Sequence, residues 1–203
     1  MKILNLTQGS QEWLLARAKC FTASEAQAMM GQSKHLCRKE LLAQKATGIV
    51  PEVSPALQKL FDKGHAAEAA ARPFAEAFLG EELYPVVGVS GEKDEYLASL
   101  DGQTMVGDIN WEHKLWNKGL AASVAQGVVP DTHYWQLEHQ LMVSGAEKTL
   151  FTVSDGTETN KEQCWYSTVP GRRDALLAGW NQFAKDLSVF VLVEPKALVV
   201  AEP

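Results

Sequence analysis

The sequence predicts an α/β chain, of the α+β kind, with a central mixed β-sheet flanked by helices. Three observations lead there. Helix signals dominate the residues up to about 80. Residues 82–115 are rich in strand patterns. Helices and strands then follow one another to the C-terminus. At 203 residues the chain is long enough for one domain with a substantial core. Hydrophobic residues make up 46% and charged residues 22%, which places it among folded soluble proteins. No repeat, low-complexity tract or linker divides it, so residues 1–203 are expected to be a single domain.

The elements follow in order. Ser10 is placed to cap a helix from Gln11 to about Ala18. Thr22 and Glu25 form a capping box for a helix from Ala23 to about Met30, ended by Gly31. A third helix covers about Leu36 to Ala46. Ser54-Pro55 opens a fourth, with Pro at its first position. Its apolar stripe runs Leu57, Leu60, Phe61, Gly64, Ala67, Ala71, and Glu68 falls on the inward side. Pro73 is expected to kink or break this helix before Phe74–Leu79. Leu83–Val89 and Tyr96–Leu100 read as strands. Thr104–Val106 and Ile109–Leu115 then form a hairpin about Gly107-Asp108, because a two-residue loop with Gly first suits such a turn. A short helix covers Gly119–Ala125. Asp131 or Thr132 caps a helix through Val143. Strands at Lys148–Ser154 and Gln163–Val169 precede a closing amphipathic helix from Arg172 to about Phe190. The apolar tail beyond Val189 is expected to cover the core or a neighbouring subunit.

Composition excludes several classes. No apolar run approaches the roughly 20 residues of a membrane span, and the N-terminus turns polar at once, without a signal pattern. Cys20, Cys37 and Cys164 are far apart and odd in number, which argues against a disulfide framework, against zinc and for a reducing cytoplasm. The net charge of −6 is awkward for a protein that binds nucleic acid. Its distribution helps: residues 1–50 hold seven Lys or Arg against three acids, +4, which leaves −10 on the remaining 153. A basic patch on an acidic body attracts nucleic acid locally.

The chemistry concentrates in Asp101, Glu112 and Lys114. An acid followed eleven residues later by Glu-x-Lys is the layout of a magnesium-dependent nuclease centre. Two carboxylates hold a hard cation through oxygen, and the ammonium helps place an attacking water beside the scissile phosphate. Strand alternation puts Glu112 and Lys114 on one side and His113 on the other. Ordinary surface hairpins carry such charges too, so other segments decide. Arg17 at the end of one helix and Ser24 in the first turn of the next form an anion site or a simple cap. Glu68, an acid among alanines, is costly unless paired or metal-bound. Gln136 lies beside His139 and Gln140 on a polar helix face and is able to donate to phosphate oxygen.

In this order the pieces Trp13-x-x-x-Arg17, Thr22-Ala23-Ser24-Glu25, Gly64-x-x-x-Glu68, Ser99-x-Asp101-Gly102, Glu112-x-Lys114 and Gln136-x-x-His139-Gln140 resemble the lambda-type, YqaJ-like exonucleases of viruses and prophages. These belong to the restriction-endonuclease-like nucleases, whose core is such a sheet. The resemblance implies that Asp101, Glu112 and the backbone carbonyl of His113 ligate Mg2+, with Mn2+ a plausible substitute and two ions the expected count. It implies that Lys114 orients the water and that Glu68 serves a second metal or its water. Arg17, Ser24, Ser99 and Gln136, with Lys114, match positions that touch DNA phosphate, in particular a 5′-terminal phosphate. It further implies 5′-to-3′ digestion of one strand of linear duplex DNA, leaving a 3′ overhang. The partners implied are double-stranded DNA ends, two further copies of the chain in a trimeric ring, and a single-strand annealing protein, in a bacterial host's cytoplasm. A sequence-specific endonuclease of the same fold and a non-catalytic DNA-binding protein remain the alternatives.

Overall fold

Two strands set the architecture of the computed structural model, which describes residues 1–49 and 52–191. Strands β5 (Ile109–Leu115) and β6 (Lys148–Ser154) pair in parallel along their whole length. Parallel neighbours need a crossover rather than a hairpin. Helices α5 (Lys118–Val124) and α6 (Asp131–Ser144) supply it. Antiparallel partners extend the sheet on both sides. They are β7 (Lys161–Ser167) beyond β6, and β4 (Tyr96–Gln103), β3 (Tyr84–Ser90) and β1 (Lys2–Leu4) beyond β5. The two-residue strand β2 (Phe21–Thr22) runs parallel to β4. The sheet is therefore mixed, as expected.

Helices cover both faces. Leu137 and Leu141 of α6 pack on Phe151 and Val153. On the opposite face, Ala71 and Ala75 of α4 (Pro55–Leu79) meet Leu83, Trp111 and Leu150. Consecutive residues of β6 thus serve opposite layers, as the pleat requires. Outside α6 lies a helical sub-core. There Leu176, Trp180 and Phe183 of α7 (Arg172–Ser188) meet Met29 of α2 (Ala26–Met29), Leu41 of α3 (Arg38–Thr47) and Trp135. Helix α1 (Gln11–Lys19) contributes Trp13 and Ala16 against Leu97, Val87 and Val89. Ser10 caps α1 by accepting the Trp13 N–H, and the Thr22–Glu25 capping box forms, over a 3-10 turn at Ala23–Glu25 that leads into α2.

The structure corrects several expectations. Residues 104–106 are no strand. β4 runs on to Gln103, and a four-residue loop, Met105–Asp108, closes the hairpin. The side chain of Thr104 accounts for this: it donates to Asp108 Oδ1 (2.6 Å) and accepts the Ile109 N–H (3.2 Å). Gly107, at φ +80°, makes the reversal, and Met105 and Val106 are left 78% exposed despite their apolar pattern. Pro73 does not break α4, which runs on through it to Leu79. The ring lies on an exposed side, and the Ala69 carbonyl it leaves without a helical donor also belongs to an exposed residue.

The apolar stripe of α4 buries only its later part. Leu57, Leu60 and Phe61 stay 41–52% exposed, and burial begins at Ala67. Helix α6 begins at Asp131 behind Pro130 with no side-chain cap, because the Thr132 hydroxyl pairs with His133 Nδ1 instead. Strands β1 and β2 were not expected: each is too short to show a period. The tail from residue 192 lies outside the described residues. Among those residues no helix is long and apolar enough to cross a membrane.

Pro73 lacks the N–H that a helix interior uses. Pro73→Ala is therefore expected to raise unfolding stability by up to about 3 kcal/mol. Urea denaturation checks this, and an unchanged midpoint contradicts it.

Candidate active site at the fork between two central strands

The site arises where β4 and β5 stop being neighbours. They pair only at Gly102↔Trp111 and Gln103↔Asn110 and then diverge. The register of β3 against β4 shifts at the same place. Val86↔Leu100 is followed by Tyr84↔Gln103, so β4 carries one residue too many. This bulge holds Asp101 and Gly102, and its opposite number, Pro85, has no N–H to offer. Leu100 packs in the layer of α6 with Val143, whereas Gly102 faces Arg72 of α4. The bulge interrupts the alternation between them and re-aims Asp101 into the fork. There Asp101 Oδ2 accepts the His113 N–H at 2.8 Å, in place of a ladder bond.

Glu112 enters from the other strand. Its side chain is only 2% exposed, yet both oxygens are bonded. Oε1 accepts from Lys114 Nζ (2.5 Å) and from Gln136 Nε2 (2.6 Å). Oε2 accepts from Gln140 Nε2 at 2.6 Å. As alternation predicts, Lys114 shares the side of Glu112, while the His113 ring turns to Ser154 Oγ (2.8 Å). Burial, and then the nearby Lys114 ammonium, push the His113 pKa down to about 4, so the ring is neutral at pH 7. Glu68 reaches the same centre from α4, where Arg72 holds its Oε1 at 3.2 Å and also donates to the Leu83 carbonyl.

A cleft of about 500 Å³ collects these groups. Its lining includes every side chain singled out from the sequence: Arg17, Ser24, Glu68, Ser99, Asp101, Glu112, Lys114 and Gln136, with His113 beside them. The phosphate-type donors form the end near α1. Arg17 Nη2 lies 3.1 Å from Ser24 Oγ, and its guanidinium stacks 4.6 Å over the Trp13 ring. Trp13 Nε1 in turn donates to Ser99 Oγ at 2.8 Å. The ammonium of Lys45, 6% exposed, donates to the carbonyls of Arg17 and Cys20 and pairs with Glu25. A cation at the carbonyl end of α1 is favourable and ties this helix to the turn that carries Ser24. The exposed Leu60 and Phe61 form an apolar wall of the same cleft.

Electrostatics mark the centre as short of positive charge. Burial, then Glu112 and Glu68, raise the Asp101 pKa well above the ordinary aspartate value. Burial first, with Glu112 adding, raises that of Glu68 against the opposing Arg72. Burial opposes the charge of Lys114, but Glu112 and Asp101 outweigh it and its pKa rises. The donors aimed at the fork are oxygens, which suits a hard cation. Among the described residues no three His, Cys, Asp or Glu side chains are grouped so as to hold a metal ion by themselves. An ion here would therefore need a backbone carbonyl and water as well, as magnesium commonly does.

Several neighbours escaped the sequence. Gln140 is on the expected face, and its spacing from Gln136, one helical turn, is the available signal for its place at the site. Arg72 bears the same relation to Glu68. His65 lines the cleft one turn before Glu68, with no pattern to announce it. Four of the seven N-terminal cations are already engaged within the fold, Lys2 with Asp94, Arg17 with Ser24, Arg38 with Asp186 and Lys45 with Glu25, so that segment is less of a free basic patch than its count suggests.

The fold is that of known exonucleases. The alkaline exonuclease LHK-Exo of Laribacter hongkongensis superposes with a TM-score of 0.72 at 20% identity, covering 88% of this chain and 93% of its own. Its complex with dAMP gives 0.73 at 18%, with the same coverage. A phage-related exonuclease of Haemophilus somnus 129PT gives 0.61 at 13%, covering 83% and 93%. The model of the YqaJ-like viral recombinase domain matches residues 12–147, and the chain belongs to that family. No curated protein sequence matches it.

A carboxyl whose pKa is raised by folding costs stability above its unfolded value, near 4. Without metal, Asp101→Asn is therefore expected to be more stable than the parent at pH 7, and the gain should vanish as the pH falls toward that value. Urea unfolding in excess chelator at several pH values measures it. A variant less stable than the parent at neutral pH contradicts the account.

Proposed function

We propose that the protein is a Mg2+-dependent exonuclease that digests one strand of linear duplex DNA in the 5′-to-3′ direction. Its product is a 3′ overhang suited to a single-strand annealing partner. One observation carries this reading: a single cleft brings the acids and lysine of the fork together with the Arg17–Ser24–Ser99 donors. The first set suits hydrolysis of a phosphodiester and the second suits a terminal phosphate. Membership of a viral recombinase family and the exonuclease fold agree with it.

Asp101 and Glu112, with the His113 carbonyl, would hold one ion, and Glu68 a second or its water. Such ions neutralise phosphoryl oxygens and lower the pKa of bound water. The chain's own groups do the rest. Lys114, held above its ordinary pKa, stays charged and steers the nucleophile toward phosphorus. Arg17 presents a rigid fork of donors to the phosphate, and the Ser24 and Ser99 hydroxyls complete the contact. Gln136 shares Glu112 Oε1 with Lys114, and with an ion held at that oxygen it would be available to donate to a phosphate.

We further propose a ring of three copies in the bacterial cytoplasm with the duplex threaded through it. A ring answers the charge problem: only the inner wall has to attract DNA, and acids on the outer surface do not oppose a threaded duplex. A monomer by sedimentation would contradict the ring and leave the chemistry untouched.

Linear duplex labelled at each end in turn, with and without Mg2+ and beside a covalently closed circle, tests the activity. Label release from 5′ ends only, dependent on Mg2+, is expected, with the circle intact. Cutting of the circle would point to an endonuclease, and no release at all to a binding protein. Glu112→Gln should abolish turnover and leave the fold intact. Lys114→Ala should slow turnover roughly 10²–10³-fold with a smaller effect on DNA binding. Arg17→Ala should cut the preference for a 5′-phosphate over a 5′-hydroxyl end by about 10–100-fold, the value of a hydrogen bond to a charged group. Equal preference in parent and variant would remove Arg17 from the site.

A further inference from the structure

We propose that Gln140 is the positioning residue of Glu112: its amide holds Oε2, so that Oε1 alone is turned to the metal. This rests on the reading of Glu112 as a metal ligand and says how that ligand is aimed.

Gln136 and Gln140 lie one turn apart on α6, and both donate to Glu112. They are not equivalent. Gln136 lines the cleft and shares Oε1 with Lys114; Gln140 does not line it and is fully buried behind the carboxylate. Its Nε2 donates to Glu112 Oε2 at 2.6 Å and to the Ser99 carbonyl at 3.3 Å, which uses both amide hydrogens. Its Oε1 is buried with no partner. An orphaned acceptor is costly, and the contact is kept all the same. Turning the amide over would not help, since it would set Oε1 against two acceptors, Glu112 Oε2 and the Ser99 carbonyl. The orientation of Gln140 is therefore dictated by the acceptors it faces.

The two carboxylate oxygens divide the work. Oε1 faces the cleft, and its partners Lys114 and Gln136 are side chains able to yield to an ion. Oε2 is anchored from behind. The same amide also crosses the fork, joining β5 to the backbone of β4 at Ser99. Ser99 Oγ is in turn held by Trp13. Gln140 thus couples the placement of a metal ligand to that of a phosphate contact across strands that no longer pair. Outer groups that orient a metal ligand typically govern 10–100-fold in metal affinity.

The test is Mn2+ binding without DNA, read from the electron paramagnetic resonance of the free ion, on the full-length protein. Gln140→Leu removes the donor at similar size. Gln140→Asn keeps an amide but withdraws it by one methylene. Both are expected to raise the Mn2+ dissociation constant about 10–100-fold. Gln136→Leu is expected to weaken it less. Melting in chelator reports folding, and if Gln140→Leu does not fold, Gln140→Asn decides. If the parent binds Mn2+ and a folded Gln140 variant binds it equally well, this inference is overturned and the metal reading stands. If neither variant folds, Gln140 serves packing and the inference is likewise overturned. If the parent itself binds no Mn2+, the reading of Glu112 fails first.

Discussion

Two central strands part company after two residue pairs, and the candidate chemistry depends on that separation. Were β4 and β5 zipped throughout, their backbone groups would satisfy one another and leave no gap. Instead the bulge at Asp101-Gly102 ends the pairing, and a carboxylate takes over the His113 N–H. A backbone donor is satisfied and an acid is fixed by one contact. The cost is a cluster of carboxylates partly withdrawn from water, with Glu112, Glu68 and Asp101 each within reach of the others' fields. Such an arrangement persists only where surrounding packing imposes it, and functional sites are where such strain is commonly kept.

That packing is ample. Leu137 and Leu141 of α6 press on Phe151 and Val153, while Ala71 and Ala75 of α4 grip the other face. Each helix delivers polar side chains to the fork from the turns beside its apolar anchors: Gln136 and Gln140 from α6, Glu68 and Arg72 from α4. Behind α6 a fully buried Trp180 donates to His139 Nδ1 and fixes the helix from its far side. Burial lowers the His139 pKa to about 3, so this contact carries no charge at neutral pH. The elements that stabilise the sheet are thus the ones that aim the site.

Much of this was legible in the sequence, for identifiable reasons. The Asp101…Glu112-x-Lys114 spacing translates directly, because strand alternation is rigid and Lys114 had to share a side with Glu112. Capping signals at Ser10, Thr22–Glu25 and Ser54 act over one turn, and each has its counterpart in the structure. What escaped was decided by distant partners. Nothing local announces a bulge at Asp101, since it depends on the register against β3 and on Pro85 across the way. Leu57, Leu60 and Phe61 have the period of a buried face, but all three stay exposed, and Leu60 and Phe61 border the cleft instead. Thr104 looked like strand and became a loop closure through its hydroxyl. Gln140 was visible only as a polar residue on a helix, and its contact appears only once Glu112 Oε2 is placed against it.

The proposed chemistry depends on where a divalent ion would sit. A crystal soaked in Mn2+ and measured at the manganese absorption edge locates such an ion without reference to catalysis. The expected anomalous peak lies in the fork, at roughly 2.0–2.3 Å from Asp101 and from Glu112 Oε1, with Glu112 Oε2 still on Gln140. A fully occupied peak elsewhere, or none in the fork at millimolar Mn2+, would contradict it.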